Sequence, residues 1–274
     1  MGMAAHRRCR AGSWRLLKTE FVDPYLNVAL DHSILLAVER GFSPNTLRLW
    51  RNERSVVLGR HQRLSEEVNL DACRRHGVSV VRRFTGGGAV YHDLGNLNWT
   101  IVARKEDLPS SGVLESFKQA GEALLEALAR LGVDAWFEPP NSIHVSGGKI
   151  TGMASYIKRN TMLIHGTLLI HSDVNVLKST LKRLKVEVTT LKRELGWTPD
   201  AAELEDALIS GFMHVYEVDV SRGSVTRGEW MDALSLAEKT RVWTPKSAIA
   251  CTRMAHFNKR NAKTFNQWFR GETP

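Results

Sequence analysis

Cysteine is scarce in this chain, and long apolar runs are missing from it. The 274 residues include three cysteines, Cys9, Cys73 and Cys251, which are odd in number and far apart. Such spacing provides neither a disulfide framework nor a zinc-binding pattern, so we expect a reducing compartment. No run of about 18 uninterrupted apolar residues occurs, and the sequence therefore predicts no membrane-spanning helix.

Acidic residues are absent from the first 17 positions, which carry several arginines. This segment also lacks the apolar core of a secretory signal. We interpret residues 1–18 as a loose basic tail. We expect a cytoplasmic protein, with mitochondrial import as the alternative.

Basic residues outnumber acidic ones over the whole chain. Lysine and arginine number 38 against 29 aspartates and glutamates, which gives a formal net charge of +9. This excess favours an anionic ligand or partner: a nucleotide, an acidic protein or a nucleic acid. The segment 243–274 combines basic with aromatic residues, a pattern typical of nucleic-acid binding or of a segment that docks on a protein. Because no repeated basic spacing occurs there, we favour docking and expect no nucleic-acid partner.

Three consecutive glycines form the most informative segment of the sequence. Gly86, Gly87 and Gly88 lie between two predicted strands, 78–81 and 99–103. Glycines weaken a strand, but they let backbone N–H groups approach a ligand closely. A hairpin turn without a ligand is the alternative interpretation. Polar side chains on both sides of the glycines favour a ligand-binding loop: Arg82, Arg83, His92, Asp93, Asn96 and Asn98. We expect Arg82 and Arg83 to place cationic donors at the mouth of this loop, because an arginine fork suits phosphate or carboxylate.

A second polar segment spans 141–155. Within it, Gly147 and Gly148 predict a two-residue hairpin turn, after which Lys149 begins the return strand. A lysine directly after a hairpin turn usually faces solvent. The small residues that follow leave room for a bound molecule and favour a functional lysine instead: Gly152, Ala154 and Ser155.

Hydrophobic periodicity predicts the remaining elements. A strand at 161–171 carries His165-Gly166-Thr167, which is a candidate for ligand binding, although a lone strand histidine is more often a core residue. Two strands are predicted around the turn 51–54. Helices are predicted at 27–41, 64–76 (capped by Ser65), 111–131, 177–184, 200–216 and 229–242.

Four segments of the chain resemble the lipoate–protein ligase A family of the biotin/lipoate ligase superfamily. They occur in the order found in that family, at 49–62, 82–96, 149–154 and 165–169. The resemblance implies an α/β fold of the α+β type, with a mixed, largely antiparallel sheet flanked by helices. This fold is related to the class II tRNA synthetase catalytic domains. We accordingly expect the catalytic domain at 19–242, followed by a basic extension at 243–274.

The resemblance also implies a two-step reaction. Lipoate and ATP would give lipoyl-adenylate and pyrophosphate, with Mg²⁺ on the phosphates, and the lipoyl group would then pass to a lysine of an acceptor domain. Lys149 would hold the lipoate carboxylate and the α-phosphate. The expected acceptors are the glycine cleavage H protein or the lipoyl domain of a 2-oxoacid dehydrogenase E2. The other residues that the resemblance places at the lipoate and ATP site are Arg83, Thr85, Gly86, Gly87, Gly88, Ala89, Tyr91, His92, Asn96, Asn141, Ala154, His165, Gly166 and Thr167.

The chain departs from the family pattern in three places. Ser142 follows Asn141, where the family commonly has an acid. Little chain remains after Val242, which resembles the split ligases that need a separate accessory subunit. Related acyltransferases use a cysteine in the loop before the lysine strand, but the loop here, 138–142, contains none, which disfavours a covalent acyl-enzyme. The alternatives are a transferase that takes a preformed activated acyl group and a non-catalytic lipoate-binding protein.

Overall fold

The computed structural model describes residues 13–110, 112–184 and 186–245. Its helices are α1 (Pro24–Glu39), α2 (Leu64–Glu67), α3 (Leu70–His76), α4 (Val113–Arg130), α5 (Val174–Thr180), α6 (Leu191–Leu195), α7 (Ala201–Tyr216) and α8 (Arg227–Thr240), and a 3-10 turn spans Lys105–Asp107. Its strands are β1 (Trp14–Thr19), β2 (Thr46–Trp50), β3 (Ser55–Leu58), β4 (Ser79–Arg82), β5 (Val90–His92), β6 (Asn96–Arg104), β7 (Trp136–Glu138), β8 (Ser142–Val145), β9 (Gly148–Ile157), β10 (Thr161–Leu169), β11 (Val220–Arg222) and β12 (Arg241–Trp243).

The strands form two sheets. The larger sheet has eight strands in the order β11-β1-β2-β6-β10-β9-β8-β7, and the smaller has four in the order β12-β4-β3-β5. In the larger sheet β1 is parallel to both of its neighbours, and all other pairs are antiparallel. The expected fold class is confirmed, since a mixed, largely antiparallel sheet is flanked by helices.

Helices cover both faces of the larger sheet. On one face α4 and α7 pack against the sheet in a single apolar cluster, with Phe117 and Leu124 of α4 among its buried members. The helix predicted at 111–131 is confirmed as α4, and its apolar stripe is buried from Phe117 onward, whereas Val113 and Leu114 at its start are exposed. On the other face α1 and α8 form a second cluster, which also takes in Val57 and Val81 of the smaller sheet. The space between α1, the larger sheet and the smaller sheet holds the site described below.

The predicted tail at 1–18 is wrong for residues 14–18, because β1 is a buried strand of the larger sheet. The arginine in it, Arg15, forms a two-pronged ion pair with Glu229 of α8, with N–O distances of 2.5 and 2.9 Å. Arg15, which the sequence places in the predicted basic tail, therefore joins β1 to α8 through this ion pair. Residues 1–12, and most of the predicted extension 243–274, lie outside the described residues.

The helix predicted at 64–76 is interrupted. Val68 is extended, with φ −121° and ψ 133°, and it bridges to Leu181. The chain restarts as α3 with Asn69, not Ser65, accepting a hydrogen bond at the N-cap. Gly77 ends α3 in the left-handed conformation, as predicted. Within the described part of the chain, no helix is long and apolar enough to cross a membrane.

Candidate active site

A cavity of about 140 Å³ lies between α1, the larger sheet and the smaller sheet. It brings together the glycine loop, the lysine strand and the histidine strand, which the sequence analysis singled out separately. Ten of the predicted site residues line it: Arg83, Gly88, Ala89, His92, Asn141, Lys149, Ala154, His165, Gly166 and Thr167.

A β-bulge places Lys149 on the cavity side of β9. Facing β8, Thr151 pairs with Ile143 and Lys149 pairs with His144, so Ile150 is an extra residue without a partner. Without this residue, Lys149 would lie on the face opposite to Gly152 and Ala154, because side chains alternate along a strand. With it, all three line the cavity, while Ile150 is buried in the apolar cluster on the other face.

Lys149 is held in an environment that suits an incoming anion. Burial lowers the pKa of its ammonium group, and no carboxylate or other acceptor faces it among the described residues. An anion bound beside it would favour the charged form again. Gly152 gives the side chain its space, since a Cβ at that position would lie 3.1 Å from both Cε and Nζ of Lys149.

The glycine loop is tied down by Arg83, contrary to the expectation that this arginine offers free donors at the loop mouth. Its Nη2 donates to the carbonyls of Gly86 and Gly88 at 2.6 and 2.7 Å, and its Nη1 to that of Val57 at 3.0 Å. Burial lowers its pKa to about 10. Arg82 likewise donates to carbonyls, those of residues 59, 60 and 62. Arg83 therefore shapes the glycine loop through backbone oxygens, whereas Arg82 binds the segment after β3 through Nη1.

Five predicted site residues do not line the cavity: Thr85, Gly86, Gly87, Tyr91 and Asn96. The Thr85 hydroxyl instead links Arg83 to His165, at 2.9 Å from each. Tyr91 packs in the apolar cluster between the smaller sheet and α5, and Asn96 donates to Asn98 at 2.9 Å. Gly87 has φ +88°, and its carbonyl lies so close to Gly59 that a Cβ there would be 2.0 Å away. These residues support the lining without forming it.

The structure adds lining residues that the sequence analysis left out of the site. They include a carboxylate, two aromatic rings and several apolar or small side chains: Val28, Asp31, Trp50, Val57, Phe84, Val90, Asn98, Gly152 and Met153. Asp31 is the charged member, and it is 1% exposed. The helical pattern of the sequence places Asp31 on α1, but a polar residue on an apolar helix face does not indicate what it binds.

Within the described residues, neither a cysteine nor a cluster of metal-ligating side chains lies at this cavity. Cys73 is the one cysteine within the described ranges, it lies in α3 away from the cavity lining, and burial raises its pKa to about 11. No group of three or more histidine, cysteine, aspartate or glutamate side chains in that part of the chain is arranged to hold a metal ion.

The family model for the lipoyl protein ligase A/B catalytic domain matches residues 23–213. This match covers well over half of the chain and includes every residue of the cavity lining. The chain belongs to the lipoate–protein ligase family of lipoylation enzymes.

Two relatives show the range of activities in this family. Lipoate-protein ligase A subunit 1 of Thermoplasma acidophilum is 32% identical over 234 residues, which cover 78% of this chain and 88% of the relative. Octanoyltransferase LipM of Symbiobacterium thermophilum is 31% identical over 261 residues, which cover 82% and 94%. These two relatives match the chain about equally well, although one is named a ligase and the other a transferase.

Solved structures share the fold. A bipartite lipoate protein ligase from Thermoplasma acidophilum, studied with its E2 lipoyl domain, has a TM-score of 0.73 and 29% identity, covering 83% of this chain and 92% of that one. A lipoate-protein ligase A bound with ATP has a TM-score of 0.75 and 30% identity, covering 83% and 95%. LipL1 of P. falciparum in complex with lipoate has a TM-score of 0.70 and 26% identity, covering 84% and 72%.

Proposed function

We propose that this chain is an ATP-dependent lipoate–protein ligase. A lipoate carboxylate oxygen attacks the α-phosphorus of ATP and displaces pyrophosphate. A lysine amine of an acceptor domain then attacks the acyl carbon of lipoyl-AMP, and AMP leaves. The observation that carries this proposal is the half-buried Lys149, which lines the cavity and has no partner among the described residues, in a chain whose relatives' structures contain ATP or lipoate.

Lys149 supplies the electrostatic part of this mechanism. Its ammonium group stabilises the negative charge shared by the lipoate carboxylate and the α-phosphate as the mixed anhydride forms. Removal from water strengthens this interaction, which is the role that partial burial gives to the residue. The other contribution is positioning, since holding the carboxylate next to phosphorus makes the step effectively unimolecular.

The rest of the cavity suits the acyl chain. Val28, Trp50, Val57 and Val90 give it apolar walls. Along β9, Lys149 lies five residues from Ala154, and Ala154 pairs with His165. The ammonium group, however, lies beside Gly152, where an added Cβ would be 3.1 Å from Nζ, and Gly152 is two residues from Ala154. At about 3.3 Å per residue, the ammonium group and His165 are therefore roughly 7 Å apart along the strand. A linear acid with its carboxylate at Lys149 would direct its tail towards His165.

An octanoyltransferase is the second candidate, because of the similarity to LipM. Acyl transfer through an enzyme thioester requires a reactive cysteine near the acyl group. The described residues offer only Cys73, whose thiol is buried and whose pKa is raised. This observation favours the ligase, and the experiment below separates the two.

We propose two kinds of partner. One is an acceptor lipoyl domain, of an E2 protein or of a glycine cleavage H protein, whose acidic surface would suit a chain of net charge +9. The other is an accessory subunit, because relatives include one subunit of a bipartite ligase.

The deciding experiment measures lipoate- and Mg²⁺-dependent release of pyrophosphate from ATP by the purified chain. Release by the chain alone establishes a self-sufficient ligase. If there is none, synthetic lipoyl-AMP and octanoyl-acyl carrier protein are offered with an apo lipoyl domain. Transfer from lipoyl-AMP alone indicates a ligase that needs its accessory subunit. Transfer from the acyl carrier indicates the transferase, and transfer from neither contradicts both candidates.

Replacement of Gly152 by alanine should impair the reaction without weakening the fold. The new Cβ would lie 3.1 Å from Cε and Nζ of Lys149 and would displace the ammonium group by a few tenths of an ångström or more. Displacements of about 1 Å cost up to about 100-fold, so we expect turnover to fall about 10- to 100-fold with little change in melting temperature. Gly228→Ala is the control, because no atom lies within 4 Å of that Cβ. An unchanged turnover in Gly152→Ala would contradict the assigned position of Lys149.

A further inference from the structure

A fully buried arginine, Arg48, donates to four acceptors: the carboxylate of the cavity residue Asp31, the side-chain and backbone oxygens of Asn27, and the hydroxyl of Thr19. Arg48 of β2 is 0% exposed. Its Nη1 donates to Asp31 Oδ1 at 2.6 Å, and its Nη2 donates to the side-chain oxygen of Asn27. A guanidinium can only donate hydrogen bonds. Every group that faces it must therefore accept, and this fixes the direction of the hydrogen bonds that continue from it.

One series of hydrogen bonds runs from Arg48 to His92. Since Asn27 Oδ1 faces the guanidinium, its Nδ2 faces outward, and it donates to Asn52 Oδ1 at 3.0 Å. The same Nδ2 also faces two backbone carbonyls, those of Phe21 and Arg51, which supports this orientation independently. Asn52 is then oriented with Nδ2 towards His92 Nδ1, at 3.1 Å. His92 Nδ1 must accept, so the ring proton resides on Nε2.

A second series of hydrogen bonds runs from Arg48 to His165 and gives that histidine the opposite tautomer. Burial raises the pKa of Asp31, but the Arg48 charge and the contact with His165 outweigh it, so the carboxyl pKa lies below its usual range. The carboxylate accepts from His165 Nδ1 at 3.2 Å and from Thr100 at 2.9 Å. His165 Nε2 is left as the acceptor, and the Thr85 hydroxyl donates to it at 2.9 Å.

His92 is left with a hydrogen-bond donor that no described residue uses. It lines the cavity, it is 4% exposed, and its Nε2 has no hydrogen-bond partner among the described residues. Burial and the neighbouring Arg83 charge lower its pKa to about 3, so the ring stays neutral. A buried donor without a partner is costly, about 1–3 kcal/mol, and such groups in native proteins usually have a functional reason.

We propose that Arg48 is a positioning residue that sets the two cavity histidines in opposite tautomers, and that His92 Nε2–H donates to a ring sulfur of lipoate. The second half of this proposal rests on the proposed function. The two ring sulfurs of lipoate form a disulfide, and divalent sulfur is a weak acceptor, whereas the methyl end of octanoate accepts nothing. His92 therefore distinguishes lipoate from octanoate.

The first test reads the tautomers directly and needs no ligand. Long-range ¹H–¹⁵N correlation spectra of protein labelled with ¹⁵N-histidine distinguish Nδ1–H from Nε2–H. The two signals are assigned by their loss in His92→Gln and His165→Gln. We expect His92 as the Nε2–H form, unchanged between pH 8 and 5, and His165 as the Nδ1–H form. The same tautomer at both residues, or a His92 that protonates in this range, would overturn the proposal.

Asn52→Asp is the variant expected to reverse the tautomer of His92. A carboxylate can accept both from Asn27 Nδ2 and from His92 Nδ1, so the ring proton should move to Nδ1 while His165 keeps its form. Asn175→Asp, an exposed position on α5, is the matched control. If the variant fails to fold, the wild-type spectrum still decides the tautomers. An unchanged His92 signal in a folded Asn52→Asp protein would contradict the role of this series.

Calorimetry with lipoate and octanoate tests the ligand. Asn52→Asp should lose about three- to tenfold in affinity for lipoate, the effect of one modest hydrogen bond, and little for octanoate. Equal losses for both acids would refute the contact with sulfur. Wild-type protein that binds neither acid would refute the lipoate assignment together with the proposed function, while the tautomers would stand on the spectra alone.

Discussion

Lys149→Ala should lower the rate of lipoate-dependent pyrophosphate release by about 10²–10³-fold, the usual effect of removing one preorganised group that stabilises transition-state charge. The fold should remain, because the side chain is only half buried and forms no hydrogen bond in the described part of the chain. The measurement is pyrophosphate release under the condition in which the wild type is active, with a melting curve alongside.

Two further variants test whether the loss of activity is specific to Lys149 and to its charge. Lys118→Ala removes a lysine from the exposed face of α4, where it pairs with Glu115, and should leave turnover unchanged. Lys149→Arg keeps the charge but changes its shape and reach, so an intermediate rate would identify charge as part of the contribution. Near wild-type turnover in Lys149→Ala would mean that the site has been assigned to the wrong residue.

Glu229→Ala should destabilise the protein by about 3–5 kcal/mol, because it leaves the buried Arg15 guanidinium without its partner. Both side chains are nearly inaccessible, at 8% and 0% exposure. The loss corresponds to a fall in melting temperature of about 10 °C for a domain of this size. Glu229 lies outside the cavity lining, so turnover at low temperature should be retained.

A matched pair on the same helix controls for position. Asp232 of α8 forms an exposed pair with Arg40, at 3.6 Å, and Asp232→Ala should cost no more than about 0.5 kcal/mol. Equal melting temperatures for the two variants would show that the Arg15–Glu229 pair does not stabilise the fold.

The effect of Glu229→Ala should depend on pH in a defined direction. Burial raises the Glu229 pKa, but the hydrogen bond and charge of Arg15 outweigh this and lower it. A lowered pKa in the folded state means that the stabilisation is present above the unfolded pKa, near 4.5, and is lost as pH falls through the folded value. The difference in melting temperature between wild type and variant should therefore shrink below about pH 4. A difference that stays constant would indicate an effect of volume and not of charge.

Local patterns in the sequence predicted much of the fold. Helical periodicity gave α4 and α7 to within a few residues, and the two glycines before Lys149 gave the β8–β9 hairpin. Such features depend on neighbouring residues alone. The break at Val68 was missed because it depends on a bridge to Leu181, more than a hundred positions later.

The sequence predicted which segments contribute to the candidate site, but not how their side chains are arranged. Arg83 was expected to offer its donors to an anion, but it donates them to carbonyls of the loop that follows it. The sequence did not single out Arg48, because a lone arginine in a short apolar strand usually faces solvent. It is buried because Asp31, on a different element, neutralises it. Pairings of this kind arise only when the tertiary structure forms.

The extra residue Ile150 has a consequence for the changes that the site can tolerate. The bulge sets the face on which the Lys149 side chain leaves β9, and a shift of one residue in that register would move it to the opposite face. The ammonium group reaches the space beside Gly152 only from the cavity face. In the proposed ligase, an insertion or a deletion of one residue between Lys149 and Gly152 would therefore remove the cation from the cavity while the lysine stays in the sequence.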